Sequence, residues 1–94
     1  MVEIVEIDLS PLHRIAAPDW SASDLLATIL EKWGLRYKVL MNCSPEERVV
    51  YDEEFEEHLK GKDEEEAVKE FAERKKAIPL KLYDGYEWAY AIVF

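Results

Sequence analysis

The sequence lacks features that several classes of protein require. It contains no glutamine, one asparagine (Asn42) and one cysteine (Cys43). A single cysteine excludes an intrachain disulfide and a zinc site built from several cysteines of one chain. No apolar run approaches the roughly 20 residues that a membrane-spanning helix needs. Acidic residues interrupt the N-terminal segment, so we expect no signal peptide. The sequence predicts a soluble, cytoplasmic protein.

Glycine is also scarce, and this bears on cofactors. The three glycines, Gly34, Gly61 and Gly85, are isolated from one another, and each fits a helix end or a turn. A glycine-rich phosphate loop is therefore excluded, together with nucleotide binding through such a loop. No segment has the glycine and carboxylate spacing of a calcium loop. We predict no cofactor and no metal site.

The chain is long enough for a folded core. Its 94 residues are 49% hydrophobic, which fits one domain over residues 1–94. The low content of glutamine and asparagine, beside abundant glutamate and lysine, is typical of thermophile proteins. This composition bears on stability and does not indicate an activity.

The negative charge is concentrated in one part of the sequence. The net charge is −9, and residues 46–73 hold thirteen acidic and four basic residues. The rest of the chain is neutral, so the whole net charge belongs to this segment. Such a field disfavours nucleic-acid phosphates and anionic membrane surfaces. It attracts basic proteins, and more strongly at low salt.

The first half of the chain predicts a strand, a helix and a second strand. Alternating apolar residues indicate a strand over residues 2–9. Ser21 and Asp24 form a capping signature ahead of an apolar stripe that ends near Gly34, which indicates a helix. Residues 35–41 alternate again and predict the second strand.

The segment that follows is ambiguous. Ser44 and Pro45 resemble a helix start, and Tyr51, Phe55 and Leu59 have helical spacing. We therefore favour a helix over about 45–60. The alternative is a short strand at 48–51 followed by a short helix.

The C-terminal third predicts a helix and a hairpin. Asp63 and Glu66 are positioned to cap the helix, and Pro79 forbids its continuation. Residues 80–83 and 86–94 form a hairpin about Asp84 and Gly85, a pair typical of two-residue primed turns. Strand 86–94 is apolar on both faces, which indicates a central position. At an edge it would be unprotected and would favour a homodimer or insertion into a partner.

Together these elements predict an α+β fold. We expect a mixed or antiparallel sheet with two to three helices on one face and a C-terminal β-hairpin. If residues 48–51 form a strand, the order approaches a ferredoxin-like split βαβ arrangement. No internal repeat is visible. Element order alone implies no activity.

One polar cluster could support catalysis. If strands 2–9 and 35–41 run parallel and are joined by the crossover helix, their C-terminal ends lie at the same edge of the sheet. Asp8 and His13 follow the first strand, and Cys43 follows the second. A histidine beside a cysteine can lower the thiol pKa and create a nucleophile. A small enzyme with a thiol and histidine site at Asp8, His13 and Cys43 is therefore the alternative function.

The charge distribution favours a different function. We expect a regulatory or protein-interaction module that docks a basic partner through its acidic segment, residues 46–73. A special case is the masking of a nucleic-acid-binding protein. The candidate contact residues are the glutamates of this segment that we expect on exposed helix faces: Glu53, Glu54, Glu56, Glu57, Glu64, Glu65 and Glu66.

Overall fold

A computed structural model describes residues 3–12 and 20–94. The elements follow in chain order: β1 (Val5–Asp8), a 3-10 turn (Ser10–Leu12), α1 (Ala22–Lys32), β2 (Tyr37–Cys43), β3 (Arg48–Val50), α2 (Glu53–Leu59), α3 (Glu64–Lys75), β4 (Ile78–Tyr83) and β5 (Trp88–Val93). The strands form one five-stranded sheet in the order β1-β4-β5-β2-β3. The predicted α+β class is confirmed.

The sheet is mixed in direction. β1 is parallel to β4, whereas β4–β5, β5–β2 and β2–β3 are antiparallel pairs. β1 and β2 therefore run in the same direction, which was the condition for their C-terminal ends to lie at one edge of the sheet. However, β4 and β5 lie between them, so β1 and β2 are not neighbours. The ferredoxin-like arrangement is not confirmed.

The helices are divided between the two faces of the sheet instead of sharing one face. Tyr90 and Ile92 of β5 pack into a core cluster with α2 and α3. Ala89 and Ala91 of the same strand pack against α1 on the opposite face. Because strand side chains alternate, one strand contributes to both clusters. β5 is the middle strand, which confirms its predicted central position and removes the edge-based argument for a homodimer.

The N-terminus of α1 has the predicted cap. The Ser21 Oγ accepts the backbone N–H of Asp24 at 3.1 Å, and the Asp24 carboxylate accepts the Ser21 N–H at 3.2 Å. This reciprocal pair satisfies two donors that a helix N-terminus leaves free. After the helix, Gly34 adopts a φ of 69°, a left-handed conformation that favours glycine.

The predicted helix over 45–60 is wrong, and the alternative of a strand and a short helix is correct. The Ser44 Oγ accepts the N–H groups of Glu46 and Glu47 at 3.3 and 3.1 Å. These bonds close a tight turn between β2 and β3 and do not start a helix. Val49 and Val50 are β-branched and pair with β2. The helix begins only at Glu53.

Two further predictions about helix and hairpin ends need correction. Asp63 is the residue before α3, but its side chain makes no capping hydrogen bond. In the C-terminal hairpin Tyr83 pairs with Trp88, so the connection has four residues and not two. A type I′ turn needs positive φ at two adjacent residues, whereas only Gly85, at 102°, has it here. Asp84 closes the turn through its side chain instead.

The same order of elements occurs twice in the fold. The units α1-β2-β3 and α3-β4-β5 have the same element order. Both helices end in a left-handed residue, Gly34 at φ 69° and Lys76 at φ 57°. In both hairpin turns the first residue, Ser44 or Asp84, donates its N–H to the carbonyl three residues later. The two units therefore share their element order and the hydrogen bond that closes each turn, but α1 and α3 pack on opposite faces of the sheet.

Candidate interaction surface

The helix α2, which carries most of the predicted contact residues, is fixed to the rest of the fold at two places. Phe55 and Leu59 point inward and are 0% and 5% exposed. At the N-terminus the Asp52 carboxylate accepts the Phe55 N–H at 2.9 Å. The same carboxylate lies 2.6 Å from Lys38 Nζ on β2. These contacts fix the position of α2, and its outward side carries the exposed glutamates.

Three predicted contact residues form what we call the acidic face, namely Glu53, Glu56 and Glu57. All three are exposed. Their spacing of three and four residues places them together on one side of the helix. Lys60 lies on the same side and contacts Glu57 at 3.1 Å, with both side chains about seventy per cent exposed (69% and 74%). Such an exposed pair contributes little energy. Three carboxylates beside one ammonium group leave the face with a net negative charge.

Two other predicted contact residues pair with lysines of the same chain. Glu54 lies 2.8 Å from Lys75 Nζ, which joins α2 to α3. The hydrogen bond from Lys75 holds the pKa of Glu54 below its usual range. Glu65 lies 3.1 Å from Lys81 Nζ on β4. These two carboxylates therefore help to attach helices to neighbouring elements.

Glu64 is a structural residue as well. It accepts hydrogen bonds from Trp88 Nε1 at 3.4 Å and from Cys43 Sγ at 3.7 Å. Its second oxygen lies 3.6 Å from an Arg48 nitrogen. Glu64 thus connects the start of α3 to three strands. Glu66, the last of the predicted residues, is exposed on α3.

The environment of Cys43 opposes nucleophilic chemistry. Its side chain is 1% exposed. Burial, together with the neighbouring Glu64 carboxylate, raises the pKa of the Cys43 thiol to about 12. Reactive cysteines need the opposite, a lowered pKa in an accessible and electropositive setting. In this structure Cys43 is a buried thiol of the core.

The predicted catalytic residues are also separated. Asp8, Tyr83, Trp88 and Cys43 lie opposite one another in successive strands. Three strand spacings of about 4.8 Å place Asp8 roughly 14 Å from Cys43. His13 lies outside the described residues. The two strand ends lie at the same edge of the sheet, but β4 and β5 separate them, so the structure does not bring Asp8 and Cys43 together.

A buried polar network near this sheet end was not predicted. The Asn42 Oδ1 accepts both the N–H and the hydroxyl of Ser23, each at 2.9 Å. Its amide nitrogen donates to Glu87 at 2.9 Å. Asn42 therefore ties the first turn of α1 to the β4–β5 connection. A lone asparagine between Met41 and Cys43 was the signal for it in the sequence.

The second unpredicted feature is a groove of about 460 Å³ between β3 and α2. Its floor is apolar, formed by Val50 and Leu59. Its rim has mixed charge but more cations than acids, with Arg48, Glu56, Lys60 and Lys62. The lining comes from a strand, a helix and a loop, so no sequence spacing indicates it.

Two features are absent from residues 3–12 and 20–94, a cluster of metal-ligating residues and a membrane-spanning helix. This part of the chain contains no group of three or more histidine, cysteine, aspartate or glutamate residues that could hold a metal ion. None of its helices is long and apolar enough to cross a membrane. No protein-family profile, curated protein or solved structure matches the chain.

Proposed function

We propose that the protein is an interaction module that docks a basic protein partner through its acidic face, Glu53, Glu56 and Glu57. The observation that carries this proposal is the contrast within the acidic segment. Glu54, Glu64 and Glu65 contact cations of the same chain at 2.8–3.6 Å. The carboxylates of the acidic face are exposed, and Lys60 is the only cation that contacts any of them within the described residues.

The position of these residues favours binding over a purely solvating role. Glu53 and Glu56 also lie in the first turn of α2, where carboxylates stabilise the helix dipole. Glu57 lies beyond that turn and gains less from the dipole. Because α2 is anchored by Phe55 and Leu59, a partner would meet carboxylates in a fixed array. A preformed array lowers the entropy cost of association.

The net charge defines the class of partner. A chain with a net charge of −9 attracts a positively charged surface and accelerates the encounter with it. The same charge repels nucleic-acid backbones, so we propose a basic protein and not a nucleic acid as the ligand. A nucleic-acid-binding protein whose basic surface is covered by the acidic face is the more specific form of this proposal.

The experiment is an affinity pull-down from source lysate with wild-type protein and two charge variants. The first variant reverses the acidic face (Glu53→Lys, Glu56→Lys and Glu57→Lys). The matched control makes the same three changes at separate exposed sites (Glu3→Lys, Glu47→Lys and Glu73→Lys), so both variants have equal net charge. A Cys43→Ser variant tests the buried thiol.

We expect wild type, the matched control and Cys43→Ser to retain the same basic protein at low salt. The acidic-face variant should lose it, because the local array is reversed while the net charge equals that of the control. Equal loss in both charge variants would show that only net charge matters. Loss in Cys43→Ser, with the acidic-face variant unaffected, would contradict the proposal.

A further inference from the structure

The two edge strands of the sheet have complementary surfaces. At one edge is β3, which pairs only with β2 among the described strands. Tyr51 donates its N–H to Leu40 of β2 at 2.9 Å. Because backbone groups alternate in direction along a strand, Val49 also faces β2, whereas Arg48 and Val50 direct their N–H and C=O groups outward. These outward groups lie beside the groove.

The two faces of β3 differ in chemistry. Arg48 lies on the α3 side, 3.6 Å from Glu64, and its side chain is 53% exposed. The groove adds Lys60, Lys62 and Glu56 to this side, and the two lysines also contact Glu57 and Glu70 of the same chain at 3.1 and 2.6 Å. On the opposite side Val49 and Tyr51 are apolar and are 37% and 53% exposed. A strand that pairs with β3 should therefore present acidic side chains to one face and apolar side chains to the other.

The other edge strand, β1, has this pattern. Leu9 donates its N–H to Tyr83 of β4 at 2.8 Å, so by alternation Glu6 and Asp8 direct their backbone groups outward. Ile7 packs against the α1 cluster, which places Glu6 and Asp8 on the opposite, α3 side. Val5, on the α1 side, is 49% exposed. Acidic and apolar side chains thus alternate along β1.

The register of a joint sheet follows from these directions. A second copy placed so that its sheet continues the first would bring its β1 antiparallel to β3, with matching faces. Outward residues must then pair with outward residues. Arg48 therefore lies opposite either Asp8 or Glu6 of the second copy, and Val49 lies opposite an apolar residue, Ile7 or Val5. Opposite charges and apolar pairs at such positions are stabilising.

We propose that the protein self-associates by pairing β3 of one copy with β1 of the next. The interface is heterologous, because the two surfaces differ, so two joined copies together keep one free β1 and one free β3. Such contacts build open chains or closed rings and do not stop at a symmetric dimer. β3 has only three residues, so each contact is weak. We therefore expect association only at high protein concentration.

Sedimentation equilibrium from micromolar to millimolar concentration tests this proposal. The mean mass of the wild-type protein should rise above the 11.0 kDa of one chain and pass the mass of a dimer. Reversal of both β1 acids (Glu6→Arg/Asp8→Arg) and the single change Arg48→Glu should each weaken association by roughly tenfold, which corresponds to about 1.4 kcal/mol. The combined variant Glu6→Arg/Asp8→Arg/Arg48→Glu should restore it, because in either register each interface again joins opposite charges.

A second measurement does not depend on the folding of variants. A peptide of residues 3–9 is titrated into isotope-labelled wild-type protein, and a peptide with Glu6 and Asp8 replaced by lysine serves as the control. Amide shifts at 48–50 and 60–62 with the first peptide only would support the proposal. A single-chain mass at all concentrations, association unchanged in both the β1 reversal variant and Arg48→Glu, or shifts confined to other segments would overturn it.

Discussion

Asp52 holds the helix that carries the acidic face, so its removal tests how that helix is positioned. Its carboxylate caps α2 by accepting the Phe55 N–H at 2.9 Å and contacts Lys38 at 2.6 Å. Loss of a capping side chain costs about 1 kcal/mol. The ion pair adds roughly 0.5 kcal/mol, because Lys38 is half exposed (50%) and solvent weakens the attraction. We predict that Asp52→Ala lowers the free energy of unfolding by about 1.5 kcal/mol.

The assay is denaturant unfolding followed by tryptophan fluorescence, with two comparison variants. Asp52→Asn keeps a capping oxygen and loses only the charge, so it should cost roughly 0.5 kcal/mol. Asp63→Ala is the matched control, because Asp63 precedes α3 without making a capping hydrogen bond. It should cost a few tenths of a kcal/mol. If Asp52→Ala and Asp63→Ala were equally mild, the reasoning would be refuted.

The pH dependence gives this prediction an independent check. Burial raises the pKa of Asp52, but hydrogen bonds from Lys38 and from the Phe55 N–H outweigh burial and leave it below the usual aspartate value. A lowered pKa in the folded state means that the ionised carboxylate stabilises the fold at neutral pH. That contribution is lost as the pH falls below about 4 and through the folded-state pKa. The stability difference between wild type and Asp52→Ala should therefore shrink in acid.

Two further predictions concern the core thiol and the helix ends. Cys43 should stay unmodified by a thiol reagent in the native protein at pH 8 and react fully in denaturant, because burial raises its pKa to about 12; rapid native-state labelling would contradict this. Gly34→Ala should destabilise the fold by about 1 kcal/mol, because an alanine is strained at the φ of 69°. The added Cβ would meet nothing within 4 Å, so no steric clash adds to this cost. Lys76→Gly should stabilise the fold by a similar amount, because Lys76 adopts φ 57°. Chemical denaturation measures the free energy of unfolding of both glycine variants. A change of the same sign in Gly34→Ala and Lys76→Gly would refute the argument.

The predictions that succeeded rest on strong local signals. Ser21 and Asp24 cap α1 through bonds between residues three apart, so tertiary contacts are not needed to recognise them. Strand 86–94 is apolar on both faces, and such a strand requires cover on both sides. A strand that is buried on both sides also implies that helices cover both faces of the sheet. The predicted fold, with all helices on one face, did not take this into account.

The predictions that failed depend on long-range pairing. Residues 44–51 combine a plausible helix start with β-branched residues, and only pairing with β2 makes the turn and strand favourable. The proximity of Asp8 and Cys43 required a strand order that local patterns do not determine, since β4 and β5 come from the far end of the chain. The groove likewise joins β3 to α2 and the loop that follows it, and no spacing in the sequence shows this contact.

The central claim is that the acidic face recognises a basic protein. Its most direct test is the affinity of the retained partner at increasing salt, measured for wild type, the acidic-face variant and the matched control. We predict that affinity falls as salt rises for wild type and the control, and that the acidic-face variant binds weakly with little salt dependence. Affinity that is independent of salt and equal in all three proteins would contradict the claim.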